Sequence, residues 1–207
     1  MIPHRTPFFI PIIYPSLIWR VPTVQKELFL TFDDGPIKGP TEYVLDELKK
    51  ADAKATFFCI GDNIKKHPSI FDRILYDGHA VGNHTFNHLS GWKTKTKDYL
   101  SNIRQFEKSL PKDVHTNFFR PPYGRITPSQ IRALKDYKII MWDVLSFDYS
   151  KNISPDDCLK NTIKAVRPGS IIVFHDSLKA EKNMRFVVPR LIKHFQDKGF
   201  SFKTLPQ

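Results

Sequence analysis

Acid–base and metal chemistry could reside at a few points along this chain. Asp33 and Asp34 are adjacent acids, and His84 and His88 stand four apart. Arg120-Pro121-Pro122-Tyr123 places a cation and an aromatic around two prolines, and His175 follows an apolar run. Two neutral imidazoles and one carboxylate leave open positions for water and substrate, which suits catalytic zinc and, with altered geometry, iron, cobalt or nickel. Asp34, His84 and His88 are the candidate set. A spacing of four suits one face of a helical turn. Neighbours on an extended segment point in opposite directions, so one acid could bind metal while the other, Asp33, faces a reacting water. The paired prolines fix the backbone, and a rigid loop can aim an N–H at a developing oxyanion. Arg120 could keep a catalytic carboxylate ionised. His175 has the near-neutral pKa of a general acid, with Asp148 as its orienting partner. Each feature has a plainer reading: a chance histidine pair, an Asp-Gly-Pro turn, a surface proline turn, a structural histidine.

The elements that must position these groups alternate regularly. Short apolar runs at Lys26 to Phe32, Ala55 to Ile60, His79 to Val81, Phe118-Phe119, Lys138 to Trp142, Ser170 to Phe174 and Phe200 to Leu205 read as strands. Helical patterns lie between them: Thr41 to Lys50 with Thr41 as cap, Gly61 to Tyr76 stopped by Gly78, and Lys97 to Leu110. Pro128 to Lys135 follows, then a helix opened by Ser154-Pro155, then Val187 to Lys198 ended by Gly199. Alternation of this kind predicts an α/β fold with a mostly parallel sheet or barrel, whose functional residues follow strand C-termini. Asp33-Asp34, the histidine pair, Arg120 to Gly124, Asp143 with Asp148, and His175 with Asp176 all stand at such ends.

Four strings then carry a resemblance. Thr31-Phe32-Asp33-Asp34-Gly35-Pro36, His84-Thr85-Phe86-Asn87-His88, Arg120-Pro121-Pro122-Tyr123-Gly124 and Val173-Phe174-His175 occur in the order seen in the polysaccharide deacetylase family, carbohydrate esterase family four. The chain resembles a member over nearly its whole length. The resemblance implies a distorted single-domain (β/α) barrel of about seven parallel strands that removes N- or O-acetyl groups from glycans such as chitin, peptidoglycan or acetylated xylan. It also implies roles: Asp33 as base, Arg120 as its partner, and Asp34, His84 and His88 as ligands of one divalent metal ion. Zinc comes first, with cobalt or nickel as alternatives. The Tyr123 backbone N–H would meet the oxyanion, and His175, partnered by Asp148, would be the general acid. The sequence departs from the pattern at Leu145 and Tyr149, where the fourth motif usually has Asp and Trp, and at Val173, where Leu is usual.

Length and charge complete the expectation. The 207 residues suit one domain, read as a catalytic domain over 27–207 with an extended, proline-stiffened N-terminal arm over 1–26 packed on it. Lys plus Arg total 32 against 21 acids, a net +11 that suits an anionic partner. No zinc-finger or RNP-like string accompanies that charge, so specific nucleic-acid binding is not expected. No apolar run is long enough for a membrane span, and a monomer is expected. Cys59 and Cys158 read as packing residues. Trp92, Lys93, Lys95 and Lys97 read as an exposed basic loop, with a place at the cleft border as the alternative. The expected activity is metal-dependent deacetylation of N-acetylglucosamine-type sugars in an acetylated, anionic glycan. A non-catalytic carbohydrate binder on the same scaffold and an O-acetyl esterase are the alternatives. Lack of a clear export signal points to the cytoplasm, while the substrate class leaves the cell envelope open.

Overall fold

The computed structural model describes residues 3–206. In chain order the elements are α1 (Ile10–Ile13), β1 (Glu27–Asp33), α2 (Pro40–Lys50), β2 (Ala55–Cys59), α3 (Gly61–Lys66), α4 (Pro68–Tyr76), β3 (Ala80–Asn83) and α5 (Thr96–Glu107). There follow β4 (Phe118–Phe119), α6 (Pro128–Ala133), β5 (Lys138–Ile139), β6 (Val144–Leu145), α7 (Pro155–Ala165), β7 (Ile171–His175), α8 (Glu181–Gln196) and β8 (Ser201–Phe202). Seven parallel strands run in the order β5-β4-β3-β2-β1-β7-β6, and β8 pairs with the start of β1.

The two ends of that order belong to one stretch of chain. The run 138–145 begins paired with β4 and ends paired with β7, so the sheet curls round on itself into a distorted barrel. The alternation of β1 shows why. Leu28, Leu30 and Phe32 point outward and pack with α2 and α8 through Val44, Leu45, Val188 and Leu191. Phe29 points inward, where it meets Phe58, Phe118, Ile140 and Ile171 at the closed end. Thr31 and Asp33 are the next inward positions, and both are buried. Hydrophobic filling thus stops below the polar groups at the strand C-termini.

The arm pairs with both halves of the closing run. The Ile18 N–H donates to Ile139 and the Ile18 carbonyl accepts from Met141; nearer the terminus, the Thr6 N–H donates to Asp143 and the His4 carbonyl accepts from Leu145. Between these anchors the chain forms α1 rather than the extended segment the prolines predict. Pro11 falls in the first turn, where its missing N–H costs no hydrogen bond. No helix among the described residues is long and apolar enough to cross a membrane.

Several local readings change, among them the Gly61 to Tyr76 helix, which breaks at His67 into α3 and α4. Thr41 lies inside α2, not at its cap: Pro40 opens the helix, and Glu42 reaches back to the Gly39 N–H at 2.8 Å. α8 begins at Glu181 instead of Val187 and carries Pro189 within it. The Lys138 to Trp142 strand shortens to β5, and an unanticipated β6 follows at Val144–Leu145, where the run changes partners. Ser154 does cap α7, accepting the Asp157 N–H at 3.1 Å.

Candidate active site

A cleft of about 580 Å³ opens at the C-terminal ends of the strands. The structure gathers Asp33, Asp34, His84, His88, Tyr123 and His175 along its walls, with Arg120 and Asp148 buried behind them.

Asp33 ends β1, and the chain then turns through a left-handed Asp34 (φ 87°). This turn corrects the expectation of opposed acids. The left-handed residue swings Asp34 back, so both carboxylates approach the same imidazole: His84 Nε2 lies 3.8 Å from Asp34 Oδ1 and 4.0 Å from Asp33 Oδ2. The histidines likewise sit on a loop rather than a helical turn, because Thr85 (φ 66°) and His88 (φ 57°) are left-handed. That loop still brings the two rings within 5.1 Å, centre to centre.

The three residues fit a divalent metal. One atom from each of Asp34, His84 and His88 lies within 4.8 Å of the others. The Arg120 carbonyl, 2.8 Å from His84 Nδ1, assigns the proton to that nitrogen and leaves the Nε2 lone pair facing Asp34. Burial lowers the pKa of both histidines, that of His88 to about 4, so both are neutral, the form in which an imidazole can bind a metal. Asp34 Oδ1 is buried without a hydrogen bond, although His88 Nε2 is only 3.2 Å away, as expected of donors aimed at one shared point.

Arg120 is fully buried at the centre of the barrel. Its guanidinium donates to Asp33 Oδ1 and Thr31 Oγ1, each at 2.7 Å, and to the Ile140 and Met141 carbonyls at 3.2 and 2.9 Å. The last two carbonyls belong to the stretch where the closing run changes partners. Phe58 covers the guanidinium face at 4.1 Å. Burial pushes the Asp33 carboxyl up, but Arg120, helped by His84 and His175, outweighs it and holds the group below the ordinary carboxylate range.

His175 ends β7 beside Asp33 on β1. Its Nδ1 lies 2.8 Å from Asp148 Oδ1, and its backbone N–H donates to Asp148 Oδ2 at 2.7 Å. Burial alone would lower its pKa. Asp148 reverses the sign, with Asp34 and Asp33 adding to it, and raises the group to about 9. The ring is an imidazolium at neutral pH. Tyr149, the departure from Trp, packs edge-on against His175 at 4.9 Å. Leu145 and Val173 face the cleft. Tyr123 is left-handed (φ 61°) on the proline-fixed loop, its ring 4.6 Å from His88.

Other strand-end acids serve elsewhere. Asp143 lies outside the cleft lining, paired with Arg167 at 2.7 Å and accepting the Ser170 hydroxyl. Asp176 is buried beneath the β1 turn. Asn63, overlooked in the sequence, lines the cleft and donates to the Asp34 carbonyl at 2.7 Å. It follows the end of β2, so the strand-end rule itself could have found it. Trp92 and Lys93, Lys95 and Lys97 lie outside the lining. Cys59 and Cys158 are buried free thiols.

Residues 20–142 match the family model described as polysaccharide deacetylase. A peptidoglycan-N-acetylglucosamine deacetylase of Bacillus cereus is 35% identical over 190 residues, covering 89% of this chain and 69% of its own. A solved peptidoglycan N-acetylglucosamine deacetylase, in complex with 4-naphthalen-1-yl-N-oxidanyl-benzamide, superposes with a TM-score of 0.89 at 33% identity, covering 97% of this chain and 95% of that one. A variant of a Bacillus anthracis CE4 family pseudoenzyme with restored enzymatic activity superposes at 0.79 with 26% identity, covering 92% and 70%. Fold, motif order and sequence agree, and the chain belongs to the polysaccharide deacetylase family.

Proposed function

We propose that this protein hydrolyses the N-acetyl group of N-acetylglucosamine-type sugars in a peptidoglycan-like glycan, with a divalent metal held by Asp34, His84 and His88. One observation carries the reading: a carboxylate kept ionised by Arg120 and an imidazolium kept protonated by Asp148 stand on neighbouring strands beside one metal-ligand set. A binder on the same scaffold has no use for a matched base and acid. The names of the relatives support the substrate class.

Bound there, the metal supplies Lewis-acid polarisation and acidifies water in the cleft. Asp33 accepts the proton of the attacking water while Arg120 fixes its other oxygen. The proline-fixed loop presents the Tyr123 backbone N–H to the developing oxyanion. His175 gives its proton to the departing amine, and Asp148 holds the ring so that Nε2 is the donating nitrogen. Leu145 and Val173 form an apolar wall suited to the acetyl methyl.

Acetate release tests this on N-acetylglucosamine oligomers, peptidoglycan and acetylated xylan, each with added zinc, cobalt or nickel. Chelation should abolish release and metal should restore it. Asp33→Asn should lose turnover by orders of magnitude while calorimetry still shows one metal bound. Full activity in Asp33→Asn, or no acetate from any glycan, overturns the proposal.

A further inference from the structure

The carboxylates at the cleft are already committed to the reacting groups. Asp33 is matched by Arg120, Asp148 by His175, and Asp34 faces the two histidines. Two cations of the lining, Arg125 and Lys179, are exposed and form no ion pair among the described residues. Arg125 follows β4 and Lys179 follows β7, and three strands separate those two in the sheet. The cleft therefore carries an unmatched positive charge on each side of its reacting groups.

Both cations rest on aromatic rings. The Arg125 guanidinium lies 5.3 Å from the Trp92 ring centre and 5.9 Å from that of Tyr123. The Lys179 ammonium lies 5.2 Å from that of Tyr149. Trp92 is fixed in turn, its Nε1 donating to the Ile126 carbonyl at 3.1 Å. A cation held over a ring loses less freedom when it captures an anion, while its N–H donors stay available. The guanidinium fork matches a carboxylate bidentately, and the exposed rings of Trp92 and Tyr123 offer faces to sugars.

We propose that Arg125 and Lys179 form a carboxylate-reading subsite that engages acidic sugars on either side of the one being deacetylated. The preferred substrate is then a glycan in which N-acetylglucosamine alternates with a carboxylate-bearing sugar. This rests on the deacetylase reading above and adds the feature that selects the polymer.

The test compares kcat/KM on strands alternating N-acetylglucosamine with N-acetylmuramic acid and on uncharged N-acetylglucosamine oligomers of equal length. The double variant Arg125→Gln/Lys179→Gln should lower the acidic-to-neutral ratio about tenfold, chiefly through KM, which corresponds to about 1.4 kcal/mol. Arg125→Lys keeps the charge but loses the bidentate fork, so it should retain only part of the preference. Raising salt to about 0.5 M should erode it in the unmodified protein, since exposed charges are screened. Equal losses on both glycans, or an unchanged ratio, overturn the subsite. If the unmodified protein releases acetate from neither glycan, the deacetylase reading falls. Calorimetric affinity for the acidic strand then decides the subsite: weaker binding by the double variant supports it, and equal binding overturns it.

Discussion

The Asp176 carboxylate occupies the space that a side chain on Gly35 would fill. A Cβ on Gly35 would stand 2.0 Å from Asp176 Oδ2. In its absence the Gly35 N–H donates to Asp176 Oδ1 at 3.0 Å, and the Thr41 hydroxyl donates to Oδ2 at 2.6 Å. The Asp176 N–H also donates to the Asp33 carbonyl at 3.1 Å. The residue after the proposed acid therefore holds the turn that presents the proposed base and the proposed ligand Asp34. Gly35→Ala should displace that turn, weakening zinc binding by calorimetry and lowering the melting temperature. Asp176→Ala leaves a buried N–H unpaired and should cost about 1–3 kcal/mol in urea unfolding. Asp176→Asn keeps an acceptor for Gly35 and should cost less. Equal stability of the Ala and Asn variants would contradict this role.

Arg120 joins the proposed base to barrel closure, because the same guanidinium binds Asp33 and the Ile140 and Met141 carbonyls. Removing it leaves a buried carboxylate without its counter-charge. Arg120→Ala should cost about 3–5 kcal/mol in urea unfolding. Arg120→Lys should also be impaired in stability and turnover, since one ammonium cannot reproduce the planar fork. A lysine variant with unaltered midpoint and activity would show that the fork geometry is not needed.

The strand-end groups were legible because their neighbours in sequence declare them. β1 and β7 are apolar runs that stop at Asp33 and His175. What decides the direction of Asp34 lies far away in the chain: Asn63 and Asp176 hold its turn from 29 and 141 residues off. Local pattern therefore predicted opposed acids where the fold makes them converge. Thr41 looked like a cap because Thr often is one, yet its hydroxyl is spent on Asp176, which only the tertiary fold brings near. β6 was hidden because Asp143 ends the apolar run after Trp142 and leaves only Val144 and Leu145, two residues that only the exchange of partners marks as a strand. Arg125 and Lys179 carried no signal among 32 basic residues until the cleft singled them out.

The Asp148–His175 pair predicts a pH signature. Burial lowers the His175 pKa, and Asp148 supplies the largest opposing effect. Asp148→Asn keeps the shape of the contact but removes the charge, so the imidazolium should be lost at lower pH. The alkaline limb of kcat/KM should move toward acid, with reduced turnover near neutrality. An alkaline limb at the same pH in both proteins would assign that limb to another group.

His79 gives a stability prediction away from the cleft. It is buried, 7% exposed, against Phe57 on β2. Its Nδ1 accepts the Ala55 N–H at 3.3 Å, and its Nε2 has no partner among the described residues. Burial first, then the Lys54 charge and more weakly Arg73, lower its pKa to about 4, against an opposing pull from Asp77. The folded pKa lies below the unfolded value, so the unfolded chain binds more protons between them. The resulting stability is present above pH about 6.5 and is lost as the pH falls through about 4, on the order of 3 kcal/mol in full. His79→Gln retains an acceptor for Ala55 but does not titrate. Urea unfolding of both proteins at several pH values across that window should show the unmodified protein losing stability faster as the pH falls. A constant difference between the two would mean that His79 is already charged in the folded state, or already neutral when unfolded.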